Sequence, residues 1–193
     1  MALEIHLLNG SSIRDRDLRD TTQLLEEIFA ARVGLQRPAL DLARAYDVSR
    51  KQVNSTALLA QILEAGADPL LKRLAIVDAD LFIPVLTFVF GEAQLSGTAA
   101  VVSTHRLSNQ FYGLPRNDVL MRERLAKEIV HELGHTFGLF HCRKYDCVMR
   151  SSTYVEEIDL KRSHPCEPCT NLIRVHLASG AEHTTGLQDP RTA

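Results

Sequence analysis

Apolar positions recur along the chain with two periods. Residues 3–8 alternate weakly between apolar and polar and end in Asn9-Gly10, which predicts a first strand and a turn. Between 16 and 31, Leu18, Leu25, Ile28 and Phe29 fall at helical spacing and predict a helix. Pro38 breaks the next stretch, and residues 39–48 read as a second strand. Ser49 and Gln52 fit a capping box, which would start a helix over 50–65 closed by Gly66. Three short apolar runs follow at 74–77, 86–90 and 99–102, and their β-branched and aromatic content makes them buried strands. Asn117 is placed to cap a long helix bearing Leu120, Met121, Leu125, Ile129, Val130 and Leu133.

Helices alternating with strands in the first half point to an α/β layer with a largely parallel sheet. The runs after Leu74 lie too close together for a crossover helix, so at least one of those strands is expected to be antiparallel. Polarity rises after Thr170. Residues 179–193 read as a polar tail on a single domain spanning 1–178.

Composition narrows this only a little. With 193 residues, 45% of them hydrophobic and 24% charged, the chain suits one soluble domain with a real core. A net charge of −2 argues against a nucleic-acid or anionic-membrane partner. The first ten residues lack a basic start and a long uncharged run, and no segment nears about 18 consecutive apolar residues. A cytoplasmic location and a monomer are the expectations.

The chemistry concentrates at the end of the long helix. His131-Glu132-Leu-Gly-His135 sets two imidazoles four residues apart, about 40° around the axis and about 6 Å along it, so both rings face one way. They can converge on one zinc ion, and Glu132 beside the first can act as general base. On a continued helix His141 would lie about 240° and 9 Å from His135 and could not share the ion. Gly138 can take the left-handed conformation that ends a helix, which lets His141 swing back. Three imidazoles leave a fourth position for water, the arrangement of a catalytic rather than a structural site.

All four cysteines follow within 28 residues. Cys142 and Cys147 form one hook and Cys166 and Cys169 another, which together suit a closed, structural zinc. Disulfides are one alternative. A redox dithiol at Cys166 and Cys169 is another, but it leaves Cys142 and Cys147 unexplained. Arg143, Lys144, Arg150, Lys161 and Arg162 are offset by Asp146, Glu156, Glu157, Asp159 and Glu167, which reads as a solvated face. Tyr112 and Tyr154 are candidates for oxyanion support, more simply surface or packing residues, and His105 and His164 lack ligand spacing.

The string from His131 to His141 fits HExxHxxGxxH, and the cysteines at 142, 147, 166 and 169 with Met149 make the whole resemble the archaemetzincins. VDADLF at 77–82, FVFGEA at 88–93 and AAVVSTHRL at 99–107 resemble that family's strand segments, so the likeness runs from about 3 to 169. The resemblance implies a compact metzincin-like α/β domain with a mixed five-stranded twisted sheet. It implies one catalytic and one structural zinc, with Met149 flooring the first. It also implies an antiparallel edge strand, placed here at 86–90, that pairs with an extended peptide substrate. The function so read is a zinc-dependent peptidase; the alternative is a metal-stabilised peptide-binding module with little turnover. Glu132 favours the first, because binding alone needs no base beside the ligands.

Overall fold

The computed structural model describes residues 2–66 and 68–180. The chain runs β1 (Glu4–Asn9), α1 (Arg19–Phe29), β2 (Arg32–Gln36), α2 (Leu42–Ala45), β3 (Tyr46–Asp47), β4 (Gln52–Asn54), α3 (Ser55–Glu64), β5 (Leu71–Val77) and β6 (Leu81–Phe82). It continues with β7 (Gly91–Ala93), β8 (Ala99–Ser103), α4 (Asp118–Thr136), α5 (Val155–Asp159) and α6 (Glu167–Gly180). One sheet has the order β2-β1-β5-β8-β7, parallel throughout except that β7 runs antiparallel to β8 at the edge. A small second sheet, β3-β4-β6, was not foreseen. The mixed five-stranded sheet and its antiparallel member agree with the sequence reading.

Strand alternation divides the core in two. Leu74 and Ile76 of β5 and Ala100 and Val102 of β8 face α1 and α4, where Leu25, Phe29, Leu125, Ile129 and Leu133 are buried. Ala75, Val77, Ala99 and Val101 face the opposite way, onto Leu58, Leu59 and Ile62 of α3. Each fully buried aliphatic or aromatic side chain of this kind contributes about 1.5–3 kcal/mol, so the sheet is a rigid platform for α4. Asn117 caps α4 as expected, its side chain accepting from the Leu120 N–H at 3.0 Å.

Four expectations are corrected. Residues 39–48 do not form one strand: Asp41 accepts from the Ala43 and Arg44 N–H groups and starts the short α2, only 46–47 pair, as β3, and the edge strand is β2 at 32–36. Ser49 does not cap a helix, because its hydroxyl and N–H both turn to Asp47. Lys51 takes a positive φ of 56°, residues 52–54 pair as β4, and Asn54 caps α3 at the Ala57 N–H. Residues 86–90 form no strand beyond one bridge between Val89 and Leu81; the antiparallel edge is β7, directly after them. Fourth, Lys161 does not belong to a solvated face, since it is only 4% exposed. The polar tail read at 179–193 lies almost wholly outside the described residues, with α6 running to Gly180. Among the described residues no helix is long and apolar enough to cross a membrane.

Candidate catalytic centre and the four-cysteine cluster

His131 and His135 lie on the last turns of α4, and His141 follows the turn that ends it. Gly138 makes that turn with a φ of +81°, and a Cβ there would also stand 2.9 Å from the Ser96 hydroxyl. The helix end is held from two sides. Ser96 N–H donates to the His135 carbonyl at 2.9 Å, and the Lys72 ammonium donates to the Gly97 and Thr136 carbonyls at 2.6 and 3.2 Å. Lys72 is buried, and burial lowers its pKa to about 8. A cation on the last carbonyls suits the negative end of the helix dipole.

The three imidazoles converge. Their ring centroids stand 4.7, 5.3 and 5.0 Å apart, and one nitrogen from each falls within 4.8 Å of the others. His131 Nδ1 donates to the Val148 carbonyl at 2.8 Å and His135 Nδ1 to the Leu139 carbonyl at 2.7 Å. Carbonyls only accept, so these bonds fix the tautomers and leave both Nε2 atoms as bare lone pairs. Those lone pairs face each other at 3.1 Å. Two acceptors at that range repel unless a cation lies between them, and two nitrogens on a tetrahedral zinc stand about 3.3 Å apart. Burial lowers the pKa of all three histidines, that of His131 furthest, and Lys161 adds to the effect. Neutral imidazole is the form that binds metal.

Met149 lies beneath α4, and Gly134 is what lets it in: a Cβ on Gly134 would overlap the Met149 sulfur. The Met149 carbonyl accepts from the Cys142 N–H at 2.9 Å, which ties the residue after His141 to the loop that orients His131. Glu132 is 5% exposed in a cleft of about 330 Å³ that it shares with His131, His141 and the wall 86–91. Gly91 makes room for it, since a Cβ there would meet Glu132 Cγ and Oε1 and the Val101 carbonyl, each at 2.7 Å. Burial first, then the charges of Glu128 and Glu92, push the Glu132 carboxyl well above its usual range.

The four cysteines meet beside this centre. Cys142 and Cys166 sulfurs lie 3.7 Å apart, Cys147 and Cys169 sulfurs 3.9 Å, and all four fall within 4.8 Å. Bonded sulfurs would be about 2.05 Å apart. Sulfurs on a tetrahedral zinc would stand about 3.8 Å apart, which matches. The Lys144 N–H points at Cys142 sulfur and the Cys166 N–H at Cys147 sulfur, at 3.4 and 3.2 Å.

Comparison with known proteins decides the family. The model for Peptidase family M54 matches residues 17–175. The archaemetzincin of Methanocaldococcus jannaschii is 35% identical over 172 residues, 88% of this chain and 92% of that protein. The chain belongs to Peptidase family M54, the archaemetzincins.

The fold agrees with membership. A crystal structure of the Methanopyrus kandleri archaemetzincin superposes with a TM-score of 0.78 at 32% identity, covering 92% of this chain and 96% of that one. A zinc-dependent peptidase from Methanocorpusculum labreanum gives 0.78 at 28% identity, covering 88% and 99%. As an archaemetzincin the chain is a zinc metallopeptidase, with a histidine and a cysteine cluster able to hold metal.

The sequence reading overlooked a buried ion pair: Glu128 lines the cleft, and Lys161 stands 3.7 Å from it, although only the charged 3.6-residue phase Arg124-Glu128-His131 hinted at it. Neither candidate tyrosine lines the cleft: the Tyr112 hydroxyl donates to the Arg106 carbonyl at 2.9 Å, and Tyr154 is exposed before α5. His105 packs on Phe111, and His164 stands 3.9 Å from Glu27, both apart from the metal-ligand clusters.

Proposed function

We propose that the protein hydrolyses peptide bonds at a zinc ion held by His131, His135 and His141, with Glu132 as general base. The convergence of the two bare Nε2 atoms at 3.1 Å carries this reading, because only a cation makes that arrangement favourable. When bound, zinc supplies Lewis acidity, lowering the pKa of a water molecule and polarising the scissile carbonyl. Glu132 takes up the proton from the attacking water and delivers it to the leaving amine, and its burial makes the carboxylate a stronger base than a solvated one. Gly91, by lacking a side chain, leaves the space in which that carboxylate sits. The backbone carbonyls of Val148 and Leu139 hold two rings in register.

A second zinc is assigned to Cys142, Cys147, Cys166 and Cys169, where it pins the loop bearing Val148 and Met149. The substrate is an extended peptide lying along the wall 86–90 and the outer edge of β7, recognised through backbone hydrogen bonds that tolerate varied sequence. Elemental analysis and a peptide library test these roles together. The parent is expected to hold two zinc ions per chain and to cleave, and Glu132→Ala to keep both ions and lose roughly 10²–10⁴-fold in rate. Equal turnover would remove Glu132 from the mechanism. Zinc binding without cleavage by the parent would favour a peptide-binding module.

A further inference from the structure

Glu128 sits three residues before His131 on α4 and lines the same cleft. It is 3% exposed, and its Oε1 has no hydrogen-bond partner. Lys161 Nζ stands 3.7 Å from that oxygen, is equally buried, and also makes no hydrogen bond. At 3.7 Å the two are held by charge alone. Such a buried pair adds little to stability, since neutral groups of similar volume commonly serve as well. The pair therefore calls for an explanation other than cohesion.

The cleft supplies one. Helix residues three apart have Cβ atoms about 5–6 Å from each other, so Glu128 lies within side-chain reach of an ion on His131. Carboxylate oxygen binds zinc readily, and three imidazoles plus a carboxylate close the coordination sphere. The other cations of this face are committed elsewhere. Arg124 holds both oxygens of Asp159 at 2.7 Å, and Lys127 donates to the Ile158 and Asp159 carbonyls at 3.0 and 3.1 Å. These bonds fix α5, and Lys161 lies two residues past its end, its N–H on the Ile158 carbonyl at 3.2 Å. Among the described residues Lys161 is the cation within ion-pair distance of Glu128.

We propose that Lys161 is a positioning residue whose ammonium holds the Glu128 carboxylate away from the metal and so keeps the fourth coordination position open. The proposal rests on the three histidines being the ligands. Removing the charge on Lys161 leaves a buried carboxylate one helical turn from a divalent cation, and that cation is its natural partner. The site would then bind metal more tightly and admit exogenous ligands less well.

Lys161→Met, Glu128→Gln and the double variant are compared with the parent after cobalt substitution. Acetohydroxamate binding is followed by visible absorption, and metal retention by competition with a chelator. Lys161→Met is expected to bind acetohydroxamate roughly tenfold or more weakly while releasing metal from the histidine site less readily than the parent. Adding Glu128→Gln should restore hydroxamate binding. A purely structural role would weaken metal and hydroxamate binding together, with no rescue, and that outcome would overturn the proposal. If only the double variant folds, its hydroxamate affinity should match the parent, and a tenfold loss would equally count against the idea. A parent that retains no metal at the histidines would overturn the ligand assignment and this inference with it.

Discussion

At the scale of single residues, two glycines hold the centre in shape by what they lack. A Cβ on Gly91 would press on the Val101 carbonyl and on Glu132 at 2.7 Å, and neither backbone nor buried base can retreat freely. Gly91→Ala is expected to cost about 1–3 kcal/mol in urea unfolding. It should also lower kcat/KM by roughly tenfold to a hundredfold, because a base displaced by a fraction of an ångström is a poor base. Unchanged kinetics would mean that Glu132 is not held there. Gly138→Ala adds a left-handed penalty of about 1–2 kcal/mol and a clash with the Ser96 hydroxyl. Since His141 depends on that turn, loss of metal from the histidine cluster should accompany the loss of stability. These predictions separate the two glycines: the first acts on the proposed base Glu132, the second on the proposed ligand His141.

At the scale of elements, α4 was the most legible part of the chain and its supports the least. Asn117, the apolar phase and the HExxH string mark the helix from its first turn to its last. Its fixtures come from distant segments, which no local pattern announces. Lys72 belongs to β5 yet caps the far end of α4, and Lys161 looked solvent-facing because its neighbours are charged. The shift of the edge strand from 86–90 to β7 has the same origin: the apolar run at 86–90 lines the cleft and pairs only through the Val89–Leu81 bridge, so hydrophobicity alone could not place it. Lys72 gives a test at this scale. Its folded pKa, about 8, lies below its unfolded value, so between pH 8 and about 10.5 the unfolded state binds more protons and the stability contribution rises with pH. The difference in Tm between the parent and Lys72→Met should therefore shift in the parent's favour across that window and stay flat below pH 7. A flat difference throughout would show that the ammonium is not desolvated in the fold.

At the scale of the whole molecule, the two clusters are one construction. Cys142 follows His141, and Val148, which orients His131, follows Cys147, so the cysteine cluster clamps both ends of the loop that completes the histidine site. Replacing Cys166 by Ser should lower Tm and also reduce occupancy of the histidine cluster, measured as zinc per chain falling by more than one ion. Loss of one ion only would show the clusters to be independent. The sequence spacing made both clusters visible, but not that they share a loop held by Met149 under Gly134. Anomalous-difference density at the zinc absorption edge, from crystals of the parent, tests the central claim most directly. One peak should lie about 2.0–2.1 Å from the nitrogens of His131, His135 and His141 with no fourth protein ligand, and a second among the four sulfurs. A histidine cluster without a peak, or a peak capped by a fourth side chain, would contradict the account.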